Sequence, residues 1–391
     1  MNSSAPLLDA LRRPQRWALR LLLIKATAVA GNAVSDADRA ELASLAAGAP
    51  VHALPEAAAM HRVSGTVLRG LDGIPGIPDE VRTALAARRD QSAMNHLLIV
   101  GALSQIGRRF DEAGLSWVAM KGPVVAALLY ASAGDRTYGD LDLLVDRRDF
   151  PKAVQVLEDL GYAHDIHNWA LAEQMLAGQV GLATATVHVD LHWHLHYSEE
   201  DRRPFAFPIE AMIERGRRVA VSGVDTPTLD PIDTLLTLAF HAARSDGHRL
   251  MWFKDVERSV VVDRPDFDEL VQRARAYRCG GPVGLILNRA RYLLDTPIPV
   301  DVVLALMPRS LRIVDDLATR VENPLQLHER TTVTRWLTRS VRASVASSMF
   351  AVPQRATRSL RRGLFPPPPN ETDAPDEKAA YLAAVVGSER T

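Results

Sequence analysis

Apolar residues recur at helical spacing through the first hundred positions. From Ala37 to Ala47 behind Ser35, and again from Pro55 to Leu71, the spacing predicts amphipathic helices with turns between them. Trp17 to Gly31 has the same character. Gly73-Ile74-Pro75-Gly76 marks a loop. Pro78-Asp79-Glu80 then opens a long helical run that Gly114 stops near Ala113. The pattern changes at Leu115. Leu115–Met120 is an apolar run of strand length, ended by Lys121-Gly122-Pro123, and a helix follows to about Tyr130 with Pro123 suited to its first turn. A polar turn over Ala133–Gly139 leads to a second strand, Asp140–Val145. Asp149-Phe150-Pro151 opens a helix closed by Gly161, Tyr162–His167 reads as a strand, and Thr184–Trp193 as a sharply alternating one.

From Asp230-Pro231, an N-cap followed by a first-turn proline, the chain is helical again, to about Leu364. Four prolines, Pro366–Pro369, and the acidic stretch Glu371–Glu377 read as a linker or tail, with a short helix over Lys378–Val386. Helical runs around a strand–helix alternation predict an α/β or α+β core.

Composition narrows the function classes. A 391-residue chain, 47% hydrophobic and 24% charged, is long enough for two or three domains with cores of their own. Its net charge of -1 argues against a protein coated on nucleic acid. A single cysteine, Cys279, excludes an internal disulfide and a thiolate zinc cluster, and fits a reducing, cytoplasmic setting. The stretch near the N-terminus is interrupted by Arg20 and Lys25, leaving Leu21–Ile24. That is far short of the roughly 7–15 apolar residues of a signal peptide or the roughly 20 of a membrane span.

Asp140 and Asp142, two apart on a strand, point to one face. Two adjacent carboxylates repel unless a cation lies between them, and hard oxygen donors at that spacing suit magnesium. A solvent-facing edge strand is the plain alternative. The later alternating strand puts Val187, Val189 and Leu191 on one face and His188, Asp190 and His192 on the other, offering a third carboxylate. At Lys121-Gly122, a strand-to-helix turn offers helix N-terminal amides to phosphate, with Lys121 adding charge. His188, His192, His194 and His196 leave two readings open. One is a zinc or manganese site. The other has a histidine orienting Asp190, His192 and Trp193 in or behind the core, and His194 and His196 exposed near the strand end.

Met120-Lys121-Gly122, the run from Arg136 to Val145 (RTYGDLDLLV) and Val189–Trp193 together resemble the uncharacterised bacterial nucleotidyltransferase family of the DNA polymerase β superfamily. The likeness is best over about 95–260 and extends to His241, His248–Trp252, Asp255 and Phe365-Pro366. It implies an α+β fold: a nucleotidyltransferase core, a small mixed sheet with helices, over 95–229. Helical regions over 1–94 and 230–364 would flank it, with a Pro-rich, acidic tail at 365–391.

By the same resemblance Asp140 and Asp142 bind both metals, Mg2+ or alternatively Mn2+, and Asp190 the catalytic one. An NTP, expected to be ATP, gives its NMP group to an acceptor hydroxyl and releases pyrophosphate. Lys121, Gly122, Arg136, His241, Arg249 and Asp255 are the expected nucleotide-binding residues. The wider superfamily has Gly-Ser or Gly-Gly at the first turn. Gly122-Pro123 removes one amide donor, so phosphate binding leans on other amides, Lys121 or Arg136.

Trp252 is expected in the core. Eight arginines between Arg330 and Arg362 with no acidic residue offer a surface to an anionic macromolecule, or a solvated face paired with acids elsewhere. The expected acceptor is a small molecule. A peptide, protein or RNA is the alternative, and a non-catalytic, antitoxin-like module a third reading.

Overall fold

The computed structural model describes residues 8, 10–166, 168–321, 341 and 375–388. At its centre a seven-stranded mixed sheet runs in the order β3-β4-β5-β2-β1-β7-β6. The strands are β1 (Trp117–Met120), β2 (Asp140–Val145), β3 (Ala163–His164), β4 (Gln179–Ala183), β5 (His188–His192), β6 (Arg217–Val221) and β7 (Val224–Thr228). β2 pairs antiparallel with β1 and parallel with β5, and β7 lies parallel to β1.

Helices cover both faces: the central strands bury apolar side chains on one, and on the other apolar residues of β1 and β2 adjoin the polar side chains of β2 and β5. On one face Leu141, Leu143, Val189 and Leu191 pack with Leu103, Ile106 and Phe110 of the 34-residue helix Asp79–Glu112 and with Phe150 and Trp169. On the other, Val118, Met120 and Leu144 join a core that includes the helices Arg13–Val29, Pro231–Arg244, Leu250–Asp263 and Gly280–Leu294. The expected α+β architecture, a mixed sheet flanked by helices, is the one found.

Local chemistry explains the element ends. Asp230 caps its helix by accepting from the Asp233 amide at 2.8 Å, with Pro231 in the first turn. Ser35 and Asp38 form a reciprocal capping box. The helix expected over Lys378–Val386 spans Pro375–Gly387 and docks on the sheet's first face. Its buried Tyr381 packs on Phe150 and Trp169, and the Tyr381 hydroxyl donates to the Ala177 carbonyl at 2.7 Å.

Several strand expectations change. Instead of one strand over Thr184–Trp193, the Thr184 hydroxyl accepts from the Val187 amide at 3.1 Å, and this turn joins β4 to β5. The strand expected over Tyr162–His167 is the two-residue β3. The β6–β7 hairpin was not anticipated; it closes on Ser222-Gly223, both at positive φ (50° and 87°). The arginine run Arg330–Arg362 and the prolines Pro366–Pro369 lie outside the described residues. Among the described residues no helix is long and apolar enough to cross a membrane.

Candidate active site

β2 and β5 run parallel and in register, so Asp142 stands directly beside Asp190, and Asp140 beside His188. Alternation along β2 sends Leu141 and Leu143 into one core and both aspartates to the opposite face. There the sheet forms the floor of a cavity of about 510 Å³ whose wall is built by the Pro231–Arg244 and Leu250–Asp263 helices. All nine residues expected from sequence line it: Lys121, Gly122, Arg136, Asp140, Asp142, Asp190, His241, Arg249 and Asp255.

Asp142 is buried, and its Oδ1 accepts from Lys121 Nζ at 2.8 Å and lies 3.2 Å from His192 Nε2. Burial alone would raise its pKa. The Lys121 ammonium and His192 outweigh burial and hold the carboxyl well below its ordinary range. Asp190 goes the other way: burial, then the charges of Asp142 and Asp140, raise it against the pull of His192 and His188. Two neighbouring carboxylates are thus pushed in opposite directions by their surroundings.

Asp142, Asp190 and His192 each offer a donor atom within 4.8 Å of the others'. The donor set suits a divalent cation. Its two carboxylates face each other across one register position, and Asp190 is destabilised as an anion by its neighbours. Lys121 supplies positive charge to Asp142 from within the chain. Asp140 flanks this group without belonging to it. The histidine in it is His192, which sequence left open between a metal site and a place in or behind the core; it meets Asp142, whereas His188 lies 3.8 Å from Asp190 through Nδ1. His194 and His196 are buried, a correction to their expected exposure: His196 stacks on Phe205 and meets Phe240 edge-on.

The turn before the first helix of the core is strained, with φ of 44° at Lys121 and 24° at Gly122. A Cβ at Gly122 would stand 3.1 Å from the Asp140 carbonyl oxygen. Glycine is thus needed to bring the turn against β2. Arg136 and Asp255, both expected on the nucleotide, are bound to each other. The guanidinium donates from Nε to Oδ1 at 2.8 Å and from Nη2 to Oδ2 at 2.9 Å, with both side chains buried. Arg136 Nη1 also donates to the Gly122 carbonyl at 3.1 Å, and the Tyr130 hydroxyl to Asp255 at 2.7 Å. The pair therefore braces the turn against the Leu250–Asp263 helix.

His241 is pushed down to about 3 by burial and then by the Lys121 charge, so its imidazole is neutral. Trp252, expected in the core, is only partly buried; it lines the cavity and meets His241 and His248 edge-on. Lys254 turns away, buried against Glu257 at 2.8 Å.

A family model described as an uncharacterised nucleotidyltransferase matches residues 48–295. The chain belongs to this family. Membership places this nucleotidyltransferase among enzymes that transfer nucleotidyl groups. No curated protein matches the chain. The matched span begins before Arg62 and ends just past the Gly280–Leu294 helix, so it takes in the whole floor and wall of the cavity.

Two of the other cavity residues show where sequence reasoning stopped. His192 was on the polar face of the alternating strand, yet which carboxylate it meets depends on the β2–β5 pairing. Arg62 stands in a turn of the N-terminal helical region, where no motif marks it.

Proposed function

We propose that the protein moves an NMP group from a magnesium-bound nucleoside triphosphate, ATP in the first instance, to the hydroxyl of a small acceptor. The observation that carries this reading is the register of Asp142 with Asp190 on parallel strands, Asp140 two residues before, all facing a cavity beside the Lys121-Gly122 turn. Asp142, Asp190 and His192 would hold the cation, with Asp140 flanking the set. A divalent cation there neutralises charge on the phosphates and acts as a Lewis acid.

The chain's own groups do the rest. The Asp190 carboxylate takes the proton as the acceptor oxygen bonds to the α-phosphorus. The bond from that phosphorus to the bridging oxygen breaks, and pyrophosphate leaves. Lys121 keeps Asp142 ionised and lends charge to the phosphates, together with Arg249. Neutral His241 donates or accepts a hydrogen bond without adding charge. Arg136 and Asp255 hold the turn at the depth that phosphate binding needs.

The cavity falls within the ~300–1,000 Å³ typical of small-molecule sites, a size suited to a nucleotide. The single cysteine and the need for an NTP pool fit a cytoplasmic setting. The test is calorimetric titration of each NTP with magnesium into the wild type and Asp140→Asn/Asp142→Asn. Magnesium-dependent binding of one NTP, lost in the variant, is expected. Absence of binding by every NTP would overturn the reading.

A further inference from the structure

Arg62 follows the Leu54–Met60 helix at a φ of 56°. At this position, where a helix closes in the left-handed region, glycine or asparagine is usual because a larger side chain is strained. The closure itself is made by backbone: the Arg62 amide donates to the Ala59 carbonyl at 2.9 Å and the Val63 amide to that of Ala58 at 2.8 Å. Nothing in the closure calls for an arginine. Its exposed side chain lines the cavity, and among the described residues no carboxylate pairs with it.

The turn is fixed to the cavity wall through its neighbour. The buried His61 accepts from the Met251 amide through its carbonyl at 3.3 Å and from the Leu250 amide through Nδ1 at 3.4 Å. Arg62 is thereby carried to the start of the Leu250–Asp263 helix, whose N-cap residue is Arg249. The Arg249 guanidinium lies 5.9 Å from the Trp252 ring centroid, and its Nε donates to His248 Nε2 at 3.4 Å. Arg244, from the preceding helix, lines the same wall and donates to Asp201 at 3.3 Å. Buried Asp246 is the acidic residue beside them in the lining.

We propose that Arg62, Arg244 and Arg249 form a phosphate-binding subsite on the helical wall, separate from the carboxylates of the sheet floor. Guanidinium groups from three elements present planar forks of donors to one space, an arrangement suited to a tetrahedral oxyanion with several oxygens. The identity of the ligand rests on the nucleotidyl-transfer reading: it is the terminal phosphate of the donor or a phosphate carried by the acceptor. The subsite itself does not need that reading.

The first experiment is titration of inorganic pyrophosphate, in chelator and without metal, into the wild type, Arg62→Gln, Arg62→Gly and Asp140→Asn/Asp142→Asn. The wild type and the double variant are expected to bind. Both Arg62 variants should weaken binding at least about tenfold. The glycine variant suits the backbone at this position, so its loss of binding cannot be laid to misfolding. Equal affinity in the wild type and the Arg62 variants, or no binding by the wild type, would overturn the subsite.

Magnesium-ATP and magnesium-AMP titrations then separate the sources. Weakened ATP binding with AMP unchanged in Arg62→Gln assigns the donor. Unchanged ATP binding, with pyrophosphate still entering the ATP-saturated wild type, assigns the acceptor. If no NTP binds while pyrophosphate does, the transfer reading fails and the subsite stands.

Discussion

The Arg136–Asp255 pair gives the sharpest quantitative prediction. Both side chains are almost completely buried and share two short hydrogen bonds, so each charge depends on the other for its solvation. Asp255→Asn keeps the shape and an acceptor for the Tyr130 hydroxyl but removes the counter-charge, leaving a buried guanidinium uncompensated. The cost is about 3–5 kcal/mol, a large share of the ~5–15 kcal/mol that stabilises a typical protein. With a urea slope of about 3 kcal/mol/M the midpoint falls by about 1–1.7 M. Arg136→Met should cost a similar amount, since it strands the carboxylate and releases the Gly122 carbonyl. The double variant carries no buried charge, so it should be much less destabilised than the sum of the two, by at least about 2 kcal/mol. Urea unfolding of the four proteins, followed by circular dichroism, completes the cycle. Additive single effects, or a loss below about 1 kcal/mol in Asp255→Asn, would refute the claim that the two charges solvate each other.

Other outcomes follow from the same geometry. Gly122→Ala places a methyl group 3.1 Å from the Asp140 carbonyl oxygen at an unfavourable φ. It should cost about 1–3 kcal/mol in thermal or urea unfolding and weaken NTP binding in the same protein. Burial, and then the charges of His248, Arg20 and Arg249, push His61 down to about 3. The folded chain therefore refuses a proton that the unfolded chain accepts below about 6.5, and stability is lost as pH falls from there towards 3. At pH 5 the share of this one group is about 2 kcal/mol. His61→Asn keeps an acceptor for the Leu250 amide, and the difference in unfolding free energy between pH 7 and pH 5 should shrink by that amount. Tyr381→Phe loses one hydrogen bond, about 1 kcal/mol, whereas Tyr381→Ala empties a fully buried position and should cost about 3–5 kcal/mol; equal effects in urea unfolding would contradict the docking of its helix.

Sequence disclosed most of the site because its cues are local. Alternation put Asp140 and Asp142 on one face and Asp190 with His192 on another strand's polar face, and the fold joins the two faces. Asp230-Pro231 announced its helix by capping chemistry that works within one turn. Pairing across the chain was hidden. Arg136 and Asp255 are 119 residues apart, and charge alone shows that each wants a partner without saying which. Two free ligands for phosphate was therefore the natural expectation, and a brace is what the structure contains. β4 escaped notice because Gln179–Ala183 is a short, mostly apolar run, which periodicity alone cannot assign. The β6–β7 hairpin did carry a signal, Ser222-Gly223 between two valine-bearing runs, but Arg217, Arg218 and Pro227 obscured the alternation.

The carbonyl of Ala177 accepts from both the Tyr381 hydroxyl and Trp193 Nε1, each at 2.7 Å. Trp193 directly follows His192 at the end of the strand that carries Asp190. The back of this strand is thus sealed by a helix that emerges from the ribosome long after it, because 204 residues separate Tyr381 from Ala177. At about 5–20 residues per second the wait is about 10–40 s. Until that helix docks, Phe150 and Trp169 lack its cover, so the back of the strand is completed only after the whole sheet has been synthesised.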